Sequence, residues 1–151
     1  PKSGPVTGQN ICFNSILNHY FDDSLVVDTT LIKNRFWSAF YCNMLFLYYV
    51  NRFPVRTVYL TGSRSWPGIF KEISIYLFKF YNYKIINHVH GYNINNVNQS
   101  NFFLLKPISY LLRNSTDTFV ILNSHLRKQF SNVRGKVSVV ENFYSKSFEK
   151  K

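Results

Sequence analysis

The sequence predicts an α/β fold in which a doubly wound parallel sheet carries helices on both faces. Short runs rich in β-branched and aromatic residues alternate along the chain with segments of helical periodicity. Such strict alternation of strands and helices is typical of a parallel sheet. The strand-like runs are also apolar almost throughout, as expected for strands that are covered on both faces.

The pattern predicts five strands and five helices in alternation. The clearest strand is "RTVYLTG", because Gly62 closes a run of β-branched and aromatic residues. Pro67 and Pro107 each suit the first turn of a helix, and Ser124 is the expected N-cap of the last one. The predicted strands are 25–28, 57–61, 85–90, 118–122 and 137–140, and the predicted helices are 8–21, 34–53, 67–81, 102–114 and 124–132.

Composition limits the classes of protein that fit. A chain of 151 residues that is 46% apolar can bury a core as one domain, which excludes a disordered chain. The formal charge of +11 predicts an anionic partner: nucleic acid, an anionic membrane face or a phosphorylated small molecule. Cys12 and Cys42 are too few and too far apart to suggest a disulfide framework or a zinc site.

The segment "FWSAFYCNMLFLYYV" (36–50) is intensely apolar but shorter than the roughly 20 residues that a membrane span needs. We therefore expect a helix that either buries its aromatic residues against the sheet or presents one apolar face outward near Arg35 and Arg52. The second arrangement would imply contact with a membrane surface.

Ligands of open parallel sheets bind beyond the carboxyl ends of the strands. The segments expected there are rich in glycine, hydroxyl, amide and basic residues. Taken alone, 4–9 is better explained as an ordinary tight loop into a helix, and 63–65 as a helix-capping turn. The loop at Gly4 to Gly8 leads into a helix N-terminus, where backbone amides can hold an anion. The predicted substrate-binding residues are Gly4, Thr7, Gly8, Gln9, Ser63, Arg64, Gly91, Ser124 and Asn142.

Two histidines end the third predicted strand, and their spacing places them on one face. A zinc site needs at least three protein ligands, so His88 and His90 alone do not predict a metal site. His90 directly precedes Gly91, and we expect it to stand in the cleft as the catalytic histidine. His88 lies further down the strand, where we expect it to be buried and bonded to the backbone.

Four segments in order carry a family resemblance: "GPVTGQ", "HG" after a mid-chain strand, "VILNS" before a basic helix, and "KVSVVENFY". From Gly4 to Tyr144 the chain resembles the N-terminal half of a family-four retaining glycosyltransferase with the GT-B fold. The resemblance implies a Rossmann-like domain over 1–144, followed by the start of a linker or tail at 145–151. The family's first strand has no counterpart here, so we expect the chain to be a fragment.

The resemblance also implies an activity and its participants. The enzymes of this family transfer a sugar, here of hexosyl type, from a nucleotide-sugar donor bound mainly by a C-terminal domain that this chain lacks. By motif, His90 resembles the histidine that reaches the donor sugar, Gly8 the glycine near the donor phosphates, and Asn142 the asparagine that ends the first half. The implied acceptor is a glycan or a lipid-linked glycan, as in bacterial surface-polysaccharide synthesis.

The resemblance further implies a cytoplasmic enzyme that needs no cofactor and no nucleic acid. The basic charge and the aromatic helix predict an anionic membrane surface as a further partner. The isolated fragment is expected to be inactive, because the paired glutamates of the family have no counterpart here. Two alternatives without catalysis stay open: a basic nucleic-acid-binding module and an α/β receptor for a small phosphorylated ligand. No RRM, KH or helix-turn-helix pattern supports the first of them.

Overall fold

A computed structural model describes residues 27, 32–61, 66–89 and 106–140 of the chain. Within these residues three α-helices and two short 3₁₀-helices alternate with four strands. In chain order the elements are α1 (Arg35–Arg52), β1 (Thr57–Thr61), α2 (Trp66–Leu77), η1 (Lys79–Tyr81), β2 (Lys84–Val89), α3 (Lys106–Ser115), β3 (Thr118–Ile121), η2 (Ser124–Phe130) and β4 (Lys136–Val139).

The four strands form one parallel sheet in the order β1-β2-β3-β4. They lie within one residue of the strands predicted at 57–61, 85–90, 118–122 and 137–140, so the α/β class and the parallel sheet are confirmed. The strand predicted at 25–28 lies outside the described residues except for Val27, which is not in a strand.

The described helices cover one face of this sheet. Each connection steps in the same direction across the sheet, and right-handed crossovers then place all the connecting helices on the same side. The core shows this directly, because its strand members occupy alternate positions that share one face. They are Leu60, Ile85, Val89, Phe119 and Ile121, packed with residues of α1, α2, α3 and η2. Helices on the second face would need residues outside the described ranges.

Helix α1 packs its small and apolar row against α2. Ser38, Cys42, Phe46 and Val50 are buried at intervals of four residues. Asn43 joins the two helices, because its Nδ2 donates to the Phe70 carbonyl at 2.8 Å and its Oδ1 accepts from the Ser74 amide at 2.9 Å. At the end toward β2, the rings of Phe46 and Tyr83 meet edge to face, with centroids 5.6 Å apart. Asn43 is thus a polar contact that links α1 to α2.

Of the two arrangements expected for this apolar segment, the structure shows the second. Phe36, Trp37, Phe40, Met44 and Tyr48 are all exposed, on the side of α1 away from its buried row. Among the described residues, no helix is both long and apolar enough to cross a membrane.

The last predicted helix differs in type and in its cap. Residues 124–130 form a 3₁₀-helix, and the side chain of Asn123, not that of Ser124, accepts the capping hydrogen bond from the His125 amide at 2.8 Å. Both residue types are good N-caps, and Asn123 is the one that still has extended backbone geometry. Ser124 is instead the first residue of the 3₁₀-helix.

Candidate functional site at the carboxyl edge of the sheet

The carboxyl ends of four adjacent parallel strands form one edge of the described sheet. These strands end at Thr61, Val89, Ile121 and Val139. In the sequence, Ser63 and Arg64 follow the first of them, His90 and Gly91 the second, Ser124 the third and Asn142 the fourth. Because parallel strands end on the same side of a sheet, all four described strands end at this edge, where open α/β sheets bind ligands.

Of the predicted site residues, the structure describes Ser124, which is exposed at the start of η2, three positions beyond the end of β3. The predicted catalytic residue His90 and the remaining predicted substrate-binding residues lie outside the described residues. They are Gly4, Thr7, Gly8, Gln9, Ser63, Arg64, Gly91 and Asn142.

His88 lies just inside this edge, on the face of the sheet opposite the described helices. Its side chain is 3% exposed, and its Nδ1 is hydrogen-bonded to the hydroxyl of Tyr59 on β1. Tyr59 pairs with Ile86 in the register, so Tyr59 and His88 are diagonal neighbours on one face. The predicted burial of His88 is confirmed. Its bond to Tyr59 is to a side chain, whereas a backbone partner was predicted, because only the register of β1 on β2 brings Tyr59 beside it. The Tyr59 hydroxyl fixes the imidazole two residues before His90.

A second polar group lies on the helix-covered face. Asn87 is 3% exposed in the middle of β2, and its Nδ2 donates to the Tyr76 hydroxyl of α2 at 3.3 Å. Tyr76 is also hydrogen-bonded to Glu72, one helical turn earlier. Burial, and then the negative charge of Glu72, raise the pKa of the Tyr76 phenol well above its usual value. Tyr76 therefore stays neutral, and its hydroxyl donates a hydrogen bond to the Glu72 carboxylate.

The Glu72–Tyr76–Asn87 group was not predicted from the sequence. Two signals were present: a glutamate and a tyrosine four residues apart on one helix, and an asparagine inside the apolar run "KIINHV". The Asn87 Oδ1 has no hydrogen-bond partner within the part of the chain that the structure describes. Buried polar atoms are normally paired, so this amide oxygen is an exception within the described core.

The chemistry expected at this edge follows from its residue types. An imidazole, hydroxyls and a guanidinium are donors to sugar hydroxyls and phosphate oxygens. Within the described ranges, no group of three or more His, Cys, Asp and Glu side chains could hold a metal ion.

Comparisons with protein-family models, curated proteins and solved structures found no match to this chain.

Proposed function

We propose that this chain is the acceptor-side domain of a retaining glycosyltransferase of the GT-B type. The enzyme would move a hexosyl group from a nucleotide sugar to a glycan or lipid-linked acceptor in bacterial surface-polysaccharide synthesis. One observation supports the proposal: predicted site residues follow, within three positions, the carboxyl end of each of four adjacent parallel strands. This is the sheet edge where doubly wound folds bind ligands.

The proposed roles follow the family resemblance. His90 would donate a hydrogen bond to the donor sugar as negative charge develops on the leaving phosphate. Gly4, Thr7, Gly8 and Gln9 would present backbone amides to the donor phosphates. The remaining contacts to the sugar and the acceptor would come from Ser63, Arg64, Gly91, Ser124 and Asn142. The nucleotide would be held by a second domain. The reaction would take place on the cytoplasmic side of the membrane.

The first test is a transfer assay on two forms of the protein. The complete protein encoded by the natural reading frame should transfer labelled sugar from a nucleotide-sugar panel to lipid-linked acceptors extracted from the source cells. The 151-residue chain alone should show no turnover, because the donor nucleotide would be bound by the other domain. Robust transfer by the 151 residues alone, or none by the complete protein with any donor, would contradict the proposal.

A further inference from the structure

A row of large apolar side chains lies on the exposed side of α1. Trp37, Phe40, Met44 and Tyr48 recur at intervals of three and four residues, so they share one helical face. Their exposures are 58%, 53%, 45% and 58%. We call these four residues the outer stripe. The buried row of α1 lies on its opposite side, and Phe46 and Val50 of that row belong to the core. None of the four residues of the outer stripe is part of the described core.

The outer stripe belongs to a larger apolar surface. Asn51 of α1 accepts a hydrogen bond from the Tyr81 hydroxyl at 2.9 Å, which joins η1 to the end of the helix. Phe80 is 73% exposed and stacks on Tyr81 with centroids 4.8 Å apart. Of the twelve exposed large hydrophobic side chains within the described residues, all but Tyr110 and Val140 lie between Phe36 and Tyr81. A surface of this kind marks an interaction site more often than chance exposure.

Positive charge lies at both ends of the outer stripe. The described residues between 32 and 89 contain seven basic side chains and a single acidic one, Glu72. No charged residue interrupts the helix from Phe36 to Asn51, whereas exposed basic residues stand at both of its ends. They are Lys33 and Arg35 before the outer stripe, and Arg52 and Arg56 after it.

From this arrangement we infer that α1 binds the surface of an anionic lipid bilayer. The outer stripe would enter the boundary between headgroups and acyl chains, with the helix axis parallel to the membrane. Lipid phosphates would then contact the basic side chains at both ends of the helix, which are Lys33, Arg35, Arg52 and Arg56. The helix between them is roughly 27 Å long at 1.5 Å per residue. This inference does not depend on the proposed glycosyl transfer.

Two other partners fit the surface less well. Single-stranded nucleic acid needs cations interleaved with the aromatic rings, because each stacked base brings a phosphate with it; here the cations lie only at the helix ends. A second copy of the chain would bring together two faces of the same positive sign, which repel each other.

Trp37 offers a direct probe of this contact. The chain has two tryptophans, so Trp66→Phe leaves Trp37 as the single emitter. The full 151-residue chain carrying Trp66→Phe is titrated with vesicles of phosphatidylcholine, and with vesicles of equal parts phosphatidylcholine and phosphatidylglycerol. We expect a blue shift of Trp37 emission, and quenching by brominated acyl chains, on the anionic vesicles. High salt should weaken this binding, because it screens the flanking cations.

Matched variants separate the two contributions to binding. Phe40→Asp combined with Met44→Asp should reduce partitioning onto anionic vesicles at least tenfold, through lost apolar burial and added negative charge. Arg35→Gln and Arg52→Gln should each reduce it about fivefold on these vesicles. Tyr110→Asp changes an equally exposed aromatic residue on α3 and should leave binding unchanged. Circular dichroism and thermal melts verify that each variant is folded.

Several outcomes would overturn the inference. They are an absence of binding by the parent chain, full binding by the folded Phe40→Asp/Met44→Asp variant, or binding without a change in Trp37 emission. Quenching of Trp37 by an oligothymidine in place of vesicles would assign the surface to nucleic acid. A dimer in sedimentation velocity that Phe40→Asp/Met44→Asp dissociates would assign it to a second copy.

Discussion

At the scale of single residues, Asp117 stabilises the sheet near the amino ends of its strands, at the end opposite the candidate site. Its carboxylate accepts hydrogen bonds from the Ile85 amide at 2.7 Å and from the Lys79 ammonium, with which it forms an ion pair. Its carbonyl accepts from the Lys136 amide at 2.8 Å. One short side chain and its backbone therefore hold β2, β3 and β4 in register with η1.

The charge of Asp117 makes stability depend on pH. Burial raises the pKa of its carboxyl, but the hydrogen bonds from Lys79 and Ile85 and the charges of Lys79 and Lys84 outweigh burial and lower it. A lowered folded-state pKa means that the stabilisation is fully present above the ordinary pKa of about 4, and is lost as pH falls through the folded-state value. Asp117→Asn should cost about 1 kcal/mol at neutral pH, a modest figure because the group is partly exposed.

Urea melts of the parent and of Asp117→Asn between neutral and strongly acidic pH check this prediction. The gap between the two unfolding free energies should close as the pH falls. A constant gap over the whole range would show that the ionised carboxylate adds nothing to stability.

Gly135 precedes β4 at a point where the chain passes very close to another backbone. A Cβ at this position would lie 2.3 Å from the Thr116 carbonyl oxygen and 3.0 Å from that of Asp117. Backbone atoms cannot rotate away as a side chain would, so Gly135→Ala should destabilise the fold by about 2–3 kcal/mol. Chemical denaturation measures this; a loss below about 0.5 kcal/mol would mean that β4 can shift freely.

Some properties of single residues could be predicted from the sequence, and others could not. The burial of His88 follows from its place inside an apolar strand, and it was predicted. Its bond to Tyr59 was not, because the partner lies 29 positions earlier and is brought near only by the register of β1 on β2. The contact between Asn87 and Tyr76 could not be predicted for the same reason: it depends on how α2 packs on β2.

At the scale of elements, α1 begins with a strong local signal. The Asn34 side chain accepts hydrogen bonds from the amides of Phe36 and Trp37 at 3.0 and 3.3 Å. These amides have no acceptor within the helix, which is why asparagine is favoured at this position. The helix was predicted one residue longer at each end, and its cap explains where it starts.

Removing this cap should weaken α1 without touching the core. Asn34→Ala should lower the unfolding free energy by about 1 kcal/mol, whereas Asn34→Ser keeps an acceptor and should cost much less. Thermal or urea melts of the two variants give the comparison. Equal losses for alanine and serine would indicate that the side-chain oxygen does not act as the cap.

Other element boundaries needed the structure. Strands could be predicted because β-branched and aromatic residues cluster between turn residues. The cap of η2 was misplaced by one residue, because Asn123 and Ser124 are adjacent and equally suitable in sequence. The 3₁₀ geometry of this segment depends on packing, in which Phe130 contacts Phe119 with ring centroids 5.1 Å apart. No periodicity within seven residues can specify that.

At the scale of the whole molecule, the order of the strands was beyond sequence reasoning. Alternation predicts parallel strands but does not say which are neighbours, since each strand has the same apolar pattern. The parallel direction of the strands explains why the four described strand ends share one edge. Their consecutive order explains why the described helices share one face. The location of the candidate site, beyond the carboxyl ends of the strands, could be predicted from the sequence. The roles of its residues are untested predictions.

The most direct measurement of the central claim compares two neighbouring histidines. In the complete protein, initial rates of sugar transfer and thermal melts are recorded for His90→Ala and His88→Ala. His90→Ala should leave the melting temperature unchanged and reduce transfer about 10²-fold or more, as expected when one donor to developing charge is lost. His88→Ala should instead cost roughly 1–3 kcal/mol of stability, because the Tyr59 hydroxyl loses its buried partner. Full activity in His90→Ala, together with lost activity in a stably folded His88→Ala, would contradict the account.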